Sequence, residues 1–375
     1  MSSSYAAVDL GASSGRVVVG RVGPGELLLD EVHRFANGPV RLPDGLRWDV
    51  LGLWREILVG LRRARGVGEG PRSIGIDSWA IDHGFVDNRG TLLANPWHHR
   101  DSRTDGMAEL LSASMPADEL YRINGLQHLP FTTVYQLMAS KGTTAMDAAA
   151  RMLLLPDLLV SWLTGVEGAE RTNASTTGLL DATTGDWSTR VLSAAGIRAG
   201  LLPALCEPGG VVGPLLDVMR AETGLDASTV VTTVGSHDTA SAIVAVPGEG
   251  RNWAYVACGT WALAGVEFDA PVLTDDSRAA NFTNEVGVDG TIRYLRNVMG
   301  LWVLSETLRT WESQGRPADL LSLLAEAEAL PAGGPVVDID DPSLLPPGDM
   351  PARIAALCRA TSQPEPFGQP AMVRC

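Results

Sequence analysis

Lysine is almost missing from this chain: Lys141 is the only one among 29 basic residues. No Gly-rich loop can therefore lead into a Walker-type lysine. Positive charge is scarce altogether, with a net charge of −15. That argues against a nucleic-acid surface, whose footprint is a basic patch, although a local pocket for an anionic nucleotide remains compatible with it. Cysteine is also scarce, at four residues, Cys206, Cys258, Cys358 and Cys375. Their spacing suggests neither a metal-ligand pair nor a disulfide framework. Uninterrupted apolar runs of about 18 residues are lacking, so no membrane span is expected. Residues 1–20 lack the basic flank and apolar core of a signal peptide. By elimination, the expected location is cytoplasmic.

Apolar residues make up 45% and charged residues 19% of the chain, the balance of a globular protein. At 375 residues, two domains are expected. Tyr5–Leu10 reads as a strand, and Val17–Val22 returns from it across a wide polar loop containing Gly11 and Gly15. Leu27–Val32 is a third strand. Residues 51–64 carry Leu53, Ile57, Leu58 and Leu61 on one helical face. Ser73–Ile76 is a buried strand, and 148–163 reads as a helix interrupted near Pro156. Val230–Val234 is another strand. Pro247-Gly248-Glu249-Gly250 is a loop signal and the expected domain boundary. Beyond it, Trp253–Ala257 and Trp261–Val266 repeat the strand–turn–strand pattern of the N-terminus. A strand over 290–296 and helices over 299–311 and 352–359 are expected. Residues 330–351 read as loop, and 363–375 show no periodicity. The class is α/β.

Three places carry chemistry. In Asp9-Leu10-Gly11-Ala12-Ser13-Ser14-Gly15-Arg16, backbone N–H groups and hydroxyls could cradle a phosphate, and Asp9 could hold Mg²⁺ directly or through water. A plain hairpin turn explains the same residues. The echo at Gly259-Thr260 would allow a second grip on phosphates through the Thr260 hydroxyl and N–H. In Ser236-His237-Asp238-Thr239, Asp238 falls at a strand end and helix start, where open α/β sheets place ligands. It is either a general base with its anion favoured by the helix dipole, or an N-cap that satisfies backbone donors. In Trp79-Ala80-Ile81-Asp82, Trp79 could stack on a sugar face and Asp82 accept a hydroxyl proton; a core tryptophan with a turn aspartate is the alternative. Arg100-Asp101-Ser102-Arg103 and Asn297 read as solvated residues at element ends.

These segments, with Gly75–Asp82, Cys258-Gly259-Thr260-Trp261 and Arg296-Asn297-Val298-Met299-Gly300-Leu301-Trp302, together resemble the FGGY carbohydrate kinases of the actin–hexokinase superfamily. The resemblance runs in order from about Tyr5 to about Pro364. It implies two RNase-H-like domains flanking a cleft, a sugar-binding domain over 1–246 and a nucleotide-binding domain over 247–375. It implies transfer of the γ-phosphoryl of ATP to the 1-hydroxyl of L-rhamnulose, with Mg²⁺, in L-rhamnose degradation. Asp238 then falls on the proton acceptor. Ala80, His237, Asp238, Thr239 and Asn297 fall on substrate contacts, and Ala12, Ser13, Ser14, Gly15, Arg16 and Thr260 on ATP contacts. The implied partners are small molecules only, with no nucleic acid and no membrane; the oligomeric state is open. The resemblance fades from about Glu365, and no Gly-Gly-Gly adenosine loop follows. The second domain is therefore expected to be incomplete, with weak ATP binding and poor solubility. The alternatives are a kinase for another ketose or polyol, or an inactive remnant.

Overall fold

A computed structural model describes residues 2–250, 253–259 and 261–375. The chain forms two compact units. One comprises Met1–Ala254 with Gly265–Arg296, the other Tyr255–Ala264 with Asn297–Cys375. Where the loop signal at Pro247 suggests a single cut, the chain leaves the first unit at Ala254 and returns to it for residues 265–296.

The first unit contains strands β1 (Ser3–Leu10), β2 (Ser14–Gly23), β3 (Glu26–Ala36), β4 (Pro39–Leu42), β5 (Gly45–Trp48), β6 (Pro71–Ser78), β7 (His83–Val86), β8 (Arg151–Leu154), β9 (Ala169–Glu170), β10 (Leu205–Cys206), β11 (Val211–Pro214) and β12 (Val230–Thr232). Six of them form one sheet in the order β11-β12-β6-β1-β2-β3. Its centre is parallel: β1 pairs with β6, and β6 with β12. The carboxyl ends of three strands therefore reach the same sheet edge. In β1, Ala6, Val8 and Leu10 are buried while Asp9 falls on the opposite phase, the period-2 pattern of a strand. The helix Val50–Ala64 covers the sheet with Leu53, Ile57, Leu58 and Leu61, the face read from the sequence. Asp49 caps its start by accepting from the Gly52 N–H at 3.0 Å. It lies so close to β2 that a Cβ at Gly60 would meet Val17 at 2.2 Å.

Three local expectations are corrected. The β1–β2 connection is not wide: only Gly11–Ser13 separate the strands. Residues 148–163 are not one interrupted helix; β8 is followed by a helix Leu155–Thr164 with Pro156 in its first turn. There the missing N–H costs nothing. Residues 363–375 are not featureless, since Gly368–Arg374 is a helix.

The remaining strands are β13 (Tyr255–Cys258), β14 (Ala262–Phe268), β15 (Thr283–Val286) and β16 (Ile292–Val298). In the first unit, β15 and β16 form an antiparallel hairpin that sets Glu285 opposite Arg293. The second unit packs helices Gly300–Ser313 and Met350–Ala360 around Met299, Trp302, Val303, Leu344, Met350, Ile354 and Cys358. Among the described residues, no helix is long and apolar enough to cross a membrane.

Candidate active site

The strand ends at the parallel edge of the six-stranded sheet bring three carboxylates of the first unit into electrostatic contact. Asp9 on β1 and Asp77 on β6 are register partners. Asp238 follows β12 and begins the helix Asp238–Val244. Burial, and then the negative charges of Asp9 and Asp238, push the Asp77 carboxyl well above the ordinary carboxylate value. Arg16, opposite Asp9 on β2, answers part of this charge; its Nε donates to Asp9 Oδ2 at 2.8 Å and its Nη2 lies 2.6 Å from the same oxygen.

Asp238 is not a cap. The N-cap position belongs to His237, which makes no side-chain capping bond. Asp238 Oδ1 accepts from the Thr239 hydroxyl at 3.1 Å and lies 3.5 Å from His237 Nε2. About a third of its side chain (36%) reaches solvent. The helix dipole does not dominate its acidity. Burial raises the carboxyl above its ordinary value, with a smaller push from Asp9, against the opposing pull of His237 and Thr239. That direction suits a proton acceptor better than an anion locked by a dipole.

The backbone leading into Asp238 is clamped. Glu170, fully buried, accepts at Oε2 from the Ser236 N–H and the Ser236 hydroxyl, both at 2.9 Å. The same carboxylate caps the helix Arg171–Ala174 through the Thr172 and Asn173 N–H groups. The His237 N–H donates to Thr172 Oγ1 at 3.2 Å, and the Ser78 N–H donates to the Ser236 carbonyl at 2.9 Å. β6 and the Asp238 turn are thus tied together. Glu170 is absent from the sequence reading, and nothing in its local pattern marks it out.

Asp82 proves to be an anchor. Its carboxylate accepts from Trp48 Nε1 at 2.7 Å, Trp79 Nε1 at 2.9 Å and Gln136 Nε2 at 3.0 Å, and lies 2.7 Å from His99 Nδ1. Burial alone would raise it, but His99 and these donors outweigh burial and hold it well below the carboxylate range. Trp79 is buried, its ring 4.2 Å from that of Trp48, so the stacking platform suggested for it is taken by the protein's own core. Between them, Ile81 has φ +69°, costly for a β-branched residue. A three-residue turn closes there, with the Asp82 N–H donating to the Ala80 carbonyl at 2.9 Å. Thr133 Oγ1 donates to the Ile81 carbonyl at 2.7 Å and holds the turn. Ala80 sits half-buried on it.

The segment Arg100–Arg103 is not a solvated loop. Asp101 Oδ2 accepts from the Leu46 N–H at 2.7 Å, and Arg103 donates to the Gln136 carbonyl at 2.8 Å and to Ser140 Oγ at 2.9 Å.

In the Gly11–Ser13 turn, the Gly11 N–H donates to the Ser14 carbonyl at 2.8 Å, and Asn37 Nδ2 donates to the Gly11 carbonyl at 2.8 Å. Ala12 packs against the core, Ser13 is exposed and Ser14 half-buried. Gly15 and Arg16 lie on the β2 ladder, and a Cβ at Gly15 would strike the Phe35 ring at 2.4 Å. The first unit therefore brings together Asp9, Arg16, His237, Asp238 and Thr239. Asn297 belongs to the second unit, and Thr260 lies outside the described residues.

Glu285 and Arg293 were not legible as site residues. Both are buried beside His237: Arg293 Nη2 lies 3.0 Å and Glu285 Oε2 3.3 Å from His237 Nδ1. The signal that could have found them is Asp289-Gly290, a hairpin dipeptide whose strands oppose residues 285 and 293.

Known proteins resemble this chain along its whole length. The N-terminal-domain model of the FGGY family of carbohydrate kinases matches residues 5–245, and the C-terminal-domain model residues 254–375. A rhamnulokinase of Enterococcus faecalis is 39% identical over 99% of this chain and 74% of its own length. A rhamnulokinase of Bacteroides thetaiotaomicron is 38% identical over 100% of this chain and 77% of its own. Among solved structures, a ligand-bound xylulose kinase of Lactobacillus acidophilus superposes with a TM-score of 0.75 at 17% identity, over 88% of this chain and 66% of that one. The glycerol kinase of Plasmodium falciparum with ADP gives 0.70 at 15%, over 88% and 67%. At such identities the likeness concerns the fold, which is the two-domain α/β fold of the actin–hexokinase kind. The expectation of a truncated second domain is not supported, because the C-terminal-domain model is matched over 254–375. The weak ATP binding and poor solubility inferred from truncation lose their footing with it.

Proposed function

The chain belongs to the FGGY family of carbohydrate kinases, and on that premise we propose that it transfers the γ-phosphoryl group of ATP to the 1-hydroxyl of L-rhamnulose. The products are L-rhamnulose 1-phosphate and ADP. The observation that carries this reading is the near-complete match to proteins named rhamnulokinase, at 38–39% identity, joined to the solvent-reachable Asp238. With ATP as the donor, the reaction belongs in the cytoplasm.

The sugar's 1-oxygen attacks the γ-phosphorus, the bond to the ADP oxygen breaks, and the hydroxyl proton passes to the Asp238 carboxylate. In the loose transition state of phosphoryl transfer, that proton leaves late. A carboxylate somewhat above its ordinary acidity range therefore suffices as acceptor, and it afterwards returns the proton to water. His237 and Thr239 flank Asp238 and bind the sugar with Ala80. Ala12–Arg16 receive the ATP phosphates, with Ser13 the most exposed donor of the turn.

The crowding of Asp9, Asp77 and Asp238 is what a divalent cation would relieve, and one or two carboxylates are all that Mg²⁺ takes when phosphates and water fill its shell. Asp9 is the residue that would hold it. When bound, Mg²⁺ neutralises charge on the phosphates. Arg16, now paired with Asp9, would be free to donate to a phosphate if a cation took up the Asp9 charge.

The test is ADP release by the purified chain with ATP, Mg²⁺ and a panel of L-rhamnulose, fuculose, xylulose and ribulose. The expected result is highest kcat/KM for L-rhamnulose with a phosphomonoester at position 1. Stronger turnover of another sugar would overturn the substrate assignment.

A further inference from the structure

Resting on the sugar-kinase reading, we propose that Arg293, neutralised by Glu285, is a positioning residue that locks His237 in its Nε2–H tautomer, so that the ring offers the sugar a donor and not an acceptor. In the β15–β16 hairpin, Glu285 and Arg293 are direct cross-strand partners. Arg293 is completely buried and Glu285 nearly so, and Arg293 Nη2 lies 3.1 Å from Glu285 Oε2. A buried guanidinium persists only with such a counter-charge. Burial alone would raise Glu285, but the Arg293 guanidinium leads the groups that outweigh it and hold its carboxyl below the ordinary value. The pair is therefore ionised, with no net charge.

Both partners reach the same ring nitrogen. Arg293 Nη2 is 3.0 Å from His237 Nδ1 in a hydrogen bond. Glu285 Oε2 is 3.3 Å from it, but that oxygen makes no aligned hydrogen bond. Guanidinium can only donate, so Nδ1 must accept. A neutral imidazole has one donor and one acceptor nitrogen, and the proton therefore sits on Nε2. Nε2 is the nitrogen facing Asp238 Oδ1, at 3.5 Å. The sugar atom that meets His237 is consequently an oxygen lone pair, while Asp238 takes the hydroxyl proton next to it. The two side chains divide the work: one gives a hydrogen bond, the other receives a proton.

The experiment reads the ring nitrogens of His237 by ¹⁵N–¹H NMR on histidine-labelled protein at pH 7.5 without substrate, assigned by loss of the signal in His237→Asn. The expected result is a protonated Nε2 and a bare Nδ1 in the unmodified chain, and a mixture of tautomers in the charge-neutral double variant Glu285→Gln/Arg293→Met. A protonated Nδ1 in the unmodified chain would overturn the proposal, and it needs no variant to fold. Kinetics supply the second arm. The double variant is expected to lose about tenfold in kcat/KM for the sugar, the size of one hydrogen bond, with KM for ATP unchanged. Equal losses toward both substrates would overturn the positioning role. A chain that does not phosphorylate L-rhamnulose would strike the substrate assignment alone, because the nitrogen signals are read without any sugar.

Discussion

Two aspartates follow neighbouring strands of one sheet and have opposite fates. Asp82 lies just past β6, buried on all sides, with two tryptophan N–H groups and a glutamine amide donating to it and His99 alongside. Asp238 lies just past β12, partly open to solvent, with the hydroxyl of Thr239 as its hydrogen-bond donor. Their partners drive Asp82 below the carboxylate range, whereas burial with few donors raises Asp238 above its ordinary value. A carboxylate whose lone pairs are already filled holds structure. One that is under-supplied with donors and reachable from solvent is available to a proton. Position at a strand end does not distinguish the two; the donor count does.

Breaking Asp238 is expected to have the largest effect. Asp238→Asn should lower kcat by about a thousandfold, in the range of a lost general base, with Tm equal or higher. The stability sign follows from linkage: a carboxyl raised in the folded state contributes stability at low pH that is lost as pH rises through the folded value. Its ionised form therefore works against the fold at neutral pH. In the same way, the acidic limb of kcat should fall above the ordinary aspartate value of about 3.9. A limb at or below that value would contradict the burial argument.

Asp82→Asn should do the reverse. It is expected to cost about 3 kcal/mol of unfolding free energy, since the amide nitrogen cannot accept from donors the carboxylate satisfies. Urea unfolding measures this, and kcat per folded molecule should remain. Asp82 has a lowered folded value, so its stabilisation is present above about pH 4 and lost as pH falls further. The stability gap between the unmodified chain and Asp82→Asn should close on acidification. A gap constant with pH would mean that packing, not charge, anchors the turn.

Much of this was legible in the chain, and the failures share a cause. The β1–β2 hairpin and the helix over 50–64 follow from alternation and from the 53, 57, 58, 61 face. His237, Asp238 and Thr239 stand out because an apolar run ends beside them. β8 was hidden, since Met152, Leu153 and Leu154 are all buried, and an apolar run buried on every side has no period to tell strand from helix. The helix Gly368–Arg374 was hidden by Pro370, which reads as a breaker yet sits in the first turn, where N–H groups have no intrahelical partner. The even choice between cap and base at Asp238, and between anchor and site at Asp82, could not be decided locally. The surroundings of the two aspartates come from Trp48, His99, Gln136, Glu170, Glu285 and Arg293, residues far away in sequence and gathered only by the fold.

The smallest test concerns the turn that joins the two regions. Ile81, at φ +69°, sits between Ala80, expected to meet the sugar, and the Asp82 anchor. The Thr133 hydroxyl holds its carbonyl at 2.7 Å, and the Gln136 amide adds a weaker contact at 3.4 Å. Thr133→Val keeps the shape and removes that hydroxyl, which should cost about 1 kcal/mol, the net worth of a typical buried hydrogen bond. If the anchor and the site are mechanically joined through this turn, KM for the sugar should rise severalfold while KM for ATP and the Asp238 pH limb stay where they are. A variant that loses stability but keeps its sugar KM would show that Asp82 and its donors fix the turn without help from Thr133. Ala80 would then owe its position to the anchor alone.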